Sequence, residues 1–590
     1  MPRNRMRKLV VAVGIVPALL TLACGSGSKA TADGSTAPPD SASPDSSSVT
    51  GDAAGGTGDT GGGPVTIAIV SPTSPAYTNK IITIQVSVGD TAGAARAVRL
   101  LEDGATLTDI GAPPYTFDWD TTTVAEKSYQ IVAQTTAGGE IVASAPVTIV
   151  VDRTPPTIVS KVPDSGASNV SLTDPIQIVF SEALAPTSVS AGSVALALAG
   201  APVAATATLG NDGKTIAIAL ADRSSLALPG TMTETVSSII TDLAGNAFAG
   251  AMWSYAVPLW VDLGTVAGIG PQMVLDASGE PTVATWVNGT IQIARHTTST
   301  SWDTSIPSPQ TSGQTAGIPG FGSTKAGLFL AWNEPVASSA PVHVARWTGT
   351  AWDTSYGTLL TTLGDSTTSL AIAFSAAGQP VVRWDESSSG TNHRGHVSRW
   401  TGSAWSAYPD FTMGTCDMSP CRIAIDSSDF PVIEANLRIS RWNGSSWTAL
   451  PLTGAGNGLA LDSAQQAIAF RVSQTLEVIA VSPAGVASTY LPVLNSAPMS
   501  PAVNQAGQVA LASGDRPIVT WLQYDGPTTT DPTTSDLHVA GWTGSAWDAG
   551  YGVFHAANGN CALALVGNTV PIVAWEDVTG TSTHVSKSNH

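Results

Sequence analysis

Acidic residues recur at one point of a repeating segment, and their types and spacing could do chemistry. Trp332-Asn-Glu334, Trp384-Asp385-Glu386 and Trp575-Glu576-Asp577 each close a short apolar run with carboxylates. Glu334, Asp385, Glu386, Glu576 and Asp577 are therefore the candidate ligand-binding residues. A rim of such groups suits a polyol, a cation or a basic peptide; solvated turn chemistry is the plainer alternative. Two carboxylates at a set separation are also what glycoside hydrolysis requires. Adjacent residues of one strand, however, point to opposite faces. The sequence holds no HExxH or GxSxG motif and no sialidase-type Asp-box repeat. No nucleophile with a base can be named. Binding without catalysis and without a cofactor is expected, with a glycoside hydrolase as the lesser alternative.

Histidine is periodic too. His343, His396, His538 and His584 fall at one position of the repeating unit, where Gln292 and Arg438 stand in other copies. Zinc needs nitrogens about 2 Å away, whereas stacked sheets lie about 10 Å apart, so no shared metal site is expected. Arg295, Arg346, Arg399 and Arg441 recur likewise and read as structural hydrogen-bond donors. Cys416 and Cys421 close a six-residue loop and are a candidate local disulfide, with two free thiols as the alternative. Cys561 is left over and is expected to be buried.

The elements that must carry these groups are set by tryptophan. Fifteen of the seventeen tryptophans lie between Trp260 and Trp575. Trp347-Thr-Gly-Thr-Ala-Trp352 returns as Trp400-Thr-Gly-Ser-Ala-Trp405, Trp442-Asn-Gly-Ser-Ser-Trp447 and Trp542-Thr-Gly-Ser-Ala-Trp547. Around it lie four short strands, for example Leu370–Phe374, Val381–Trp384, His396–Trp400 and a strand from Trp405. Four antiparallel strands per unit is the propeller blade pattern. Second tryptophans at 260, 302, 352, 405, 447 and 547 are spaced by 42, 50, 53, 42 and 100 residues. The last gap holds two units, one degenerate around Leu476–Tyr490, and the period suits blades. The final unit lacks an outermost strand, while Pro258–Gly264 looks like an outermost strand without a blade. Pairing them closes a ring of seven blades and removes its free edges; six or eight are the alternatives. Most of these tryptophans are expected to fill the space between blades. The phrases also resemble the repeats of propeller lectins, which implies sugar stacking as the other role.

Only 12% of the chain is charged and 43% is hydrophobic. Frequent Gly, Pro and β-branched residues point to an all-β chain. Arg3, Arg5, Arg7 and Lys8 precede an apolar run, Leu9 to Leu22, that is short for a membrane span and laid out like a signal peptide. Its end, Leu20-Thr-Leu-Ala23-Cys24-Gly25, resembles a bacterial lipobox, although Thr21 stands where Leu is favoured. The resemblance implies cleavage after Ala23, lipidation of Cys24 and placement at the outer membrane. An ordinary secretory signal is the alternative. Losing the four leader cations takes the net charge from −19 to −23. Such a surface repels phosphate backbones, so nucleic acid is not an expected partner. Residues 24–64 are too poor in apolar side chains to build a core and read as a disordered tether reaching roughly 35 Å.

Residues 65–152 carry short alternating strands, among them Val65–Val70 and Ile81–Val88, and read as an immunoglobulin-like sandwich with Trp119 in its core. Residues 153–257 open with Arg153-Thr-Pro-Pro, continue with Phe180-Ser-Glu182 and close on Asp242-Leu-Ala-Gly245-Asn246. This pattern resembles the SbsA-type bacterial Ig-like domain, which implies a spacer or stalk. Gly245 and Asn246 suit positive-φ turn positions, and Glu182 is expected to hold backbone N–H groups. No dense Asp-x-Asp-x-Asp string accompanies Asp242, so no calcium loop is expected.

The expectation is an all-β protein: a leader at 1–23, a tether at 24–64, two Ig-like β-sandwiches at 65–152 and 153–257, and a seven-bladed β-propeller at 258–590. It is read as a monomeric, lipid-anchored envelope protein whose partner is a carbohydrate or another surface protein. A structural envelope component without a discrete ligand is the alternative.

Overall fold

The computed structural model describes residues 65–590, apart from residues 92, 277, 299, 312–317, 335–340, 360–365, 389–391, 412–421, 436–437, 452–454, 473–475, 495–502, 525–534, 549, 556 and 590. Cys24, Cys416 and Cys421 lie outside the described residues.

The first sandwich faces Thr66–Ser71, Ile81–Gly89 and Thr116–Asp120 against a larger sheet built around Lys127–Ala137. Side chains of Ile81–Gly89 alternate between covered and exposed, as a one-sided strand requires. Trp119 is buried and meets Tyr129 edge to face at 5.2 Å, in the core as expected. In the second sandwich, a sheet holding Ile176–Phe180 and Thr215–Leu220 packs on one holding Gly230–Val236 and Ala251–Val257. Leu196, Phe180, Phe248 and Tyr255 belong to its core.

Seven propeller blades follow among the described residues. Blade 1 runs from inside outward as Ile269–Leu275, Pro281–Val287, Thr290–Thr298 and Ser301–Asp303. Blade 3 runs Ser366–Phe374, Pro380–Ser388, Asn392–Trp400 and Trp405–Ala407. The degenerate unit forms blade 5, whose third and fourth strands are Leu476–Val481 and Ala487–Thr489. Blade 7 takes Ala557–Val566, Val570–Asp577 and Ser582–Ser588 from the end of the chain and Trp260–Ala267 from the start of the repeats. Trp260 stands opposite Ser588, so the ring closes as the repeat ends suggest. Second strands are covered on both faces by neighbouring blades. Gly327–Asn333 is buried at six of its seven positions, which explains its continuous apolar sequence.

The second tryptophan of each phrase is a staple between blades. Trp302, Trp352, Trp405, Trp447 and Trp547 donate their indole N–H to the carbonyls of Leu263, Pro307, Tyr356, Pro409 and Pro492, at 2.7–2.8 Å. Trp260 donates to the Tyr551 carbonyl. Every acceptor belongs to the preceding blade or to the connection leaving it. The first tryptophan packs on the second at 5.5 Å in all four phrases. Trp405→Phe keeps the ring and deletes the donor. It is expected to cost about 1 kcal/mol, the net worth of one such bond, in equilibrium urea unfolding.

The second sandwich is joined to the propeller by asparagine. Asn589 is fully buried; its amide donates to the carbonyls of Val170 (2.9 Å) and Pro258 (2.8 Å) and accepts from the Leu172 N–H (2.7 Å). Asn169 exchanges two hydrogen bonds with the Asp262 backbone.

Candidate functional site

Glu334 follows its second strand, Glu576 and Asp577 close theirs, and Asp385 and Glu386 lie toward the end of theirs, but most are withdrawn beneath the surface. Glu334, Asp385, Glu386 and Glu576 are only 2–5% exposed. Glu334 and Glu386 lie two residues beyond a tryptophan, hence on the same strand face. Each accepts that tryptophan's indole N–H, at 2.9 Å from Trp332 and 3.0 Å from Trp384. Glu334 also accepts from the Thr311 N–H and hydroxyl, both at 2.6 Å. Asp385 points the other way, to the Arg383 guanidinium at 2.7 Å. Glu576 accepts from Gly270 N–H (2.6 Å) and Asn560 (3.0 Å); burial pushes its carboxyl up, and these bonds pull against it. Asp577 is partly exposed. Burial opposes its ionisation, but hydrogen bonds from Ser582, Thr579 and Thr581 prevail and hold it at about 2. The five acids therefore share the expected strand ends without forming an open carboxylate rim. In blade 3 the second and third strands stay paired beyond Glu386: Ser387 and Ser388 stand opposite His393 and Asn392.

The periodic histidines stack on the second-strand tryptophans of their own blades. Trp332–His343, Trp384–His396, Trp521–His538 and Trp575–His584 have centroids 5.0–5.4 Å apart and planes within 23°. His396 also lies 2.9 Å from Asp410 and 3.5 Å from Glu386. Burial pushes its imidazole down, but the two carboxylates outweigh this and raise it. His343 has no such pair and is lowered by burial.

Two charged features escape sequence reasoning. In blade 4, Arg422 faces Glu434 across the first two strands. Burial pushes Glu434 up to about 8, against the pull of Arg422 and Arg383. Their signal was a charge inside an apolar strand. The second feature joins the sandwiches: carboxylate oxygens of Asp152, Glu182 and Asp242 lie within 4.8 Å of one another. Burial pushes Glu182 up to about 7, helped by its hydrogen bond with Asp152, so its neighbours there are carboxylates rather than the expected backbone N–H groups. Gly245 takes the expected positive φ of 91°, but Asn246 does not. The Asn246 side chain instead binds Asp242 (2.7 Å), the Asp152 carbonyl (2.9 Å) and Asn79 of the first sandwich (3.0 Å). Three distant segments build this joint, so no local string announces it. Cys561 is buried and unpaired, as expected.

A cleft lies on the other face of the ring, where the Trp-x-Gly-x-x-Trp turns are. It has a volume of about 640 Å³ and lies between the second sandwich and blades 6 and 7. Asp222, Arg223, Arg516, Trp542, Asp548 and Tyr551 line it. Arg516 is oriented by the carbonyls of Ser513 (3.1 Å) and Thr543 (3.3 Å). Asp222 is held low by the Ser224 hydroxyl and N–H.

Residues 152–257 match the family described as Bacterial Ig-like domain, and residues 66–133 match the family described as Bacterial Ig domain. The Ig-like character read in both segments therefore stands. No curated protein matches the chain. Among solved structures, the chain is similar to an endo-β-1,4-mannanase from Thermotoga petrophila: 14% identity over 15% of this chain and 20% of that one, TM-score 0.14. The chain thus spans about a fifth of that enzyme. It is also similar to fibronectin(III)-like modules of Clostridium thermocellum CbhA (13% identity, 32% of this chain, 94% of that one, TM-score 0.20). A third likeness is to an endo-arabinase from Bacteroides thetaiotaomicron (9% identity, 47% and 95%, TM-score 0.29). At these TM-scores they carry no argument about what this chain does.

Proposed function

We propose that this is a lipid-anchored bacterial cell-surface binding protein, with the propeller as binding head and the two Ig-like sandwiches as spacer. Cys24 carries the lipid, residues 25–64 form the tether, and the protein adheres to carbohydrate. The observation that carries the reading is the buried Asn589 joint. Two of its three side-chain hydrogen bonds, with Val170 and Leu172, link the end of the propeller to the second sandwich, where a flexible linker would serve a merely tethered domain. A fixed joint transmits load from anchor to head, which suits adhesion. Catalysis is not part of the reading. Glu334 and Glu386 are engaged by their own strands' tryptophans, and Asp385 by Arg383.

The test is a glycan array probed with the intact protein, alongside attachment of the purified protein to cells. Binding to a restricted set of glycans, and attachment lost after periodate oxidation of the cell surface, are expected. Attachment that survives periodate but not protease would transfer the ligand to a surface protein. Silence in both assays would overturn the reading in favour of a structural envelope component.

A further inference from the structure

We infer that the cleft between the second sandwich and blade 6 is a binding site for a neutral saccharide, shared by spacer and head. The inference rests on the binding reading above and gives it a place.

The argument begins with a departure from the repeat. In the other three phrases an arginine precedes the first tryptophan: Arg346-Trp347, Arg399-Trp400 and Arg441-Trp442. In blade 6 the same position is Gly541, before Trp542. In blades 3 and 4 the arginine binds an aspartate of a strand-connecting turn, Asp429 or Asp426, but blade 2 shares blade 6's opposing aspartate and shows what an arginine does beside it. Arg346 stands opposite Asp353 and binds it at 3.0 Å. Blade 6 keeps the aspartate, with Asp548 opposite Gly541, but has no arginine there to meet it. Asp548 takes the Gly550 N–H with one oxygen, at 2.7 Å, and lines the cleft. The missing side chain also lets Tyr551, a residue lining the cleft, close in on the strand. A Cβ on Gly541 would come within 2.7 Å of the Tyr551 ring, so Tyr551 lies where the arginine stem would start.

The lining then specifies a ligand class. Two guanidiniums, Arg223 and Arg516, face two carboxylates, Asp222 and Asp548, so the formal charges cancel. A strongly charged ligand would find as much repulsion as attraction, whereas hydroxyl groups can donate to the carboxylates and accept from the guanidiniums. Trp542 is half-buried and supplies an apolar ring beside them, suited to the C–H face of a sugar. The volume is within the range of small-ligand sites. Asp222 and Arg223 come from the sandwich, and the Asn589 and Asn169 joints hold that sandwich in place. The site is therefore incomplete on the propeller without its spacer.

The test is titration calorimetry of the intact protein with neutral gluco-, xylo- and manno-hexasaccharides and with the best glycan from the array. Gly541→Arg restores the repeat's arginine and is expected to abolish binding by filling the cleft and occupying Asp548. Because the Tyr551 ring must move, Trp542→Ala and Arg223→Ala provide independent arms. Each is expected to weaken binding at least about tenfold, or 1.4 kcal/mol. Trp442→Ala, the blade 4 counterpart outside the cleft, should bind like the wild type. Saccharide binding that all three cleft variants retain would overturn the site and leave the adhesive reading standing. Wild-type attachment to cells without any neutral saccharide binding would overturn the ligand class. Loss of attachment itself is read separately, on the cells.

Discussion

Asp385→Ala is expected to destabilise the propeller by about 3–5 kcal/mol, because it takes a carboxylate away from a buried guanidinium. Arg383 is fully buried, and its Nη2 lies 2.7 Å from the Asp385 carboxylate. Glu434 is a poor substitute for the lost carboxylate: Arg383 pulls it down, but burial pushes it up to about 8. Equilibrium urea unfolding at pH 7 measures the loss. The double variant Arg383→Met/Asp385→Leu should recover most of it, since an apolar pair removes both desolvated charges together. An Asp385→Ala protein as stable as wild type would show that the pair contributes nothing. The result also bears on function. Loss of ligand binding on alanine substitution of Glu334, Asp385, Glu386 or Glu576 would report damage to the fold unless stability is measured beside it.

The blade count was legible because tryptophan staples recur once per blade at the outermost strand, where one indole N–H must meet the preceding blade. Spacing alone therefore counted sheets, and the unmatched Trp260 strand identified the closure. Blade 5 departs from the rule: its outermost strand, Ala487–Thr489, has no tryptophan, and only the doubled gap revealed it. The acids were legible as a pattern but not as a depth. Sequence places Glu334 and Glu386 at strand ends; only the structure reveals that an indole two residues back turns each inward. The expected role of Glu182 failed for a related reason. Its neighbours Asp152 and Asp242 are thirty and sixty residues away, and carboxylates brought together from such distances leave no local motif.

The cleft was hidden differently. Its clue, Gly541 in place of arginine, is visible in the sequence, but a missing side chain signals a site only when its former partner is known. The Arg346–Asp353 pair in blade 2 supplies that knowledge. The acid-bearing strand ends lie on the opposite face of the ring and give no sign of the cleft. The second ring of the tryptophan phrase staples blades, as expected; in blade 6 the first ring lines the cleft proposed above as a saccharide site.

Stability of the second sandwich is expected to fall by about 4 kcal/mol as pH rises from 4.5 to 8, through one residue. Glu234 is fully buried in Gly230–Val236, and neither carboxyl oxygen has a hydrogen-bond partner. Burial pushes it from 4.5 up to about 8, with only a weak opposing pull from Lys161. Between those values the folded chain holds a proton that the unfolded chain has released. Unfolding therefore becomes easier with rising pH, and the dependence flattens above about 8, where both states are ionised. Tyr255 is raised by the same burial and then by Glu234, so it offers no compensating charge. Glu234→Met fills similar space without titrating. Urea unfolding followed through Trp253, which packs in this core, should show the variant gaining on wild type as pH rises and matching it near pH 4.5. Parallel pH profiles for the two proteins would mean that Glu234 ionises in the folded state as easily as in the unfolded one, and the buried carboxyl would lose its role as the sandwich's pH-sensitive point.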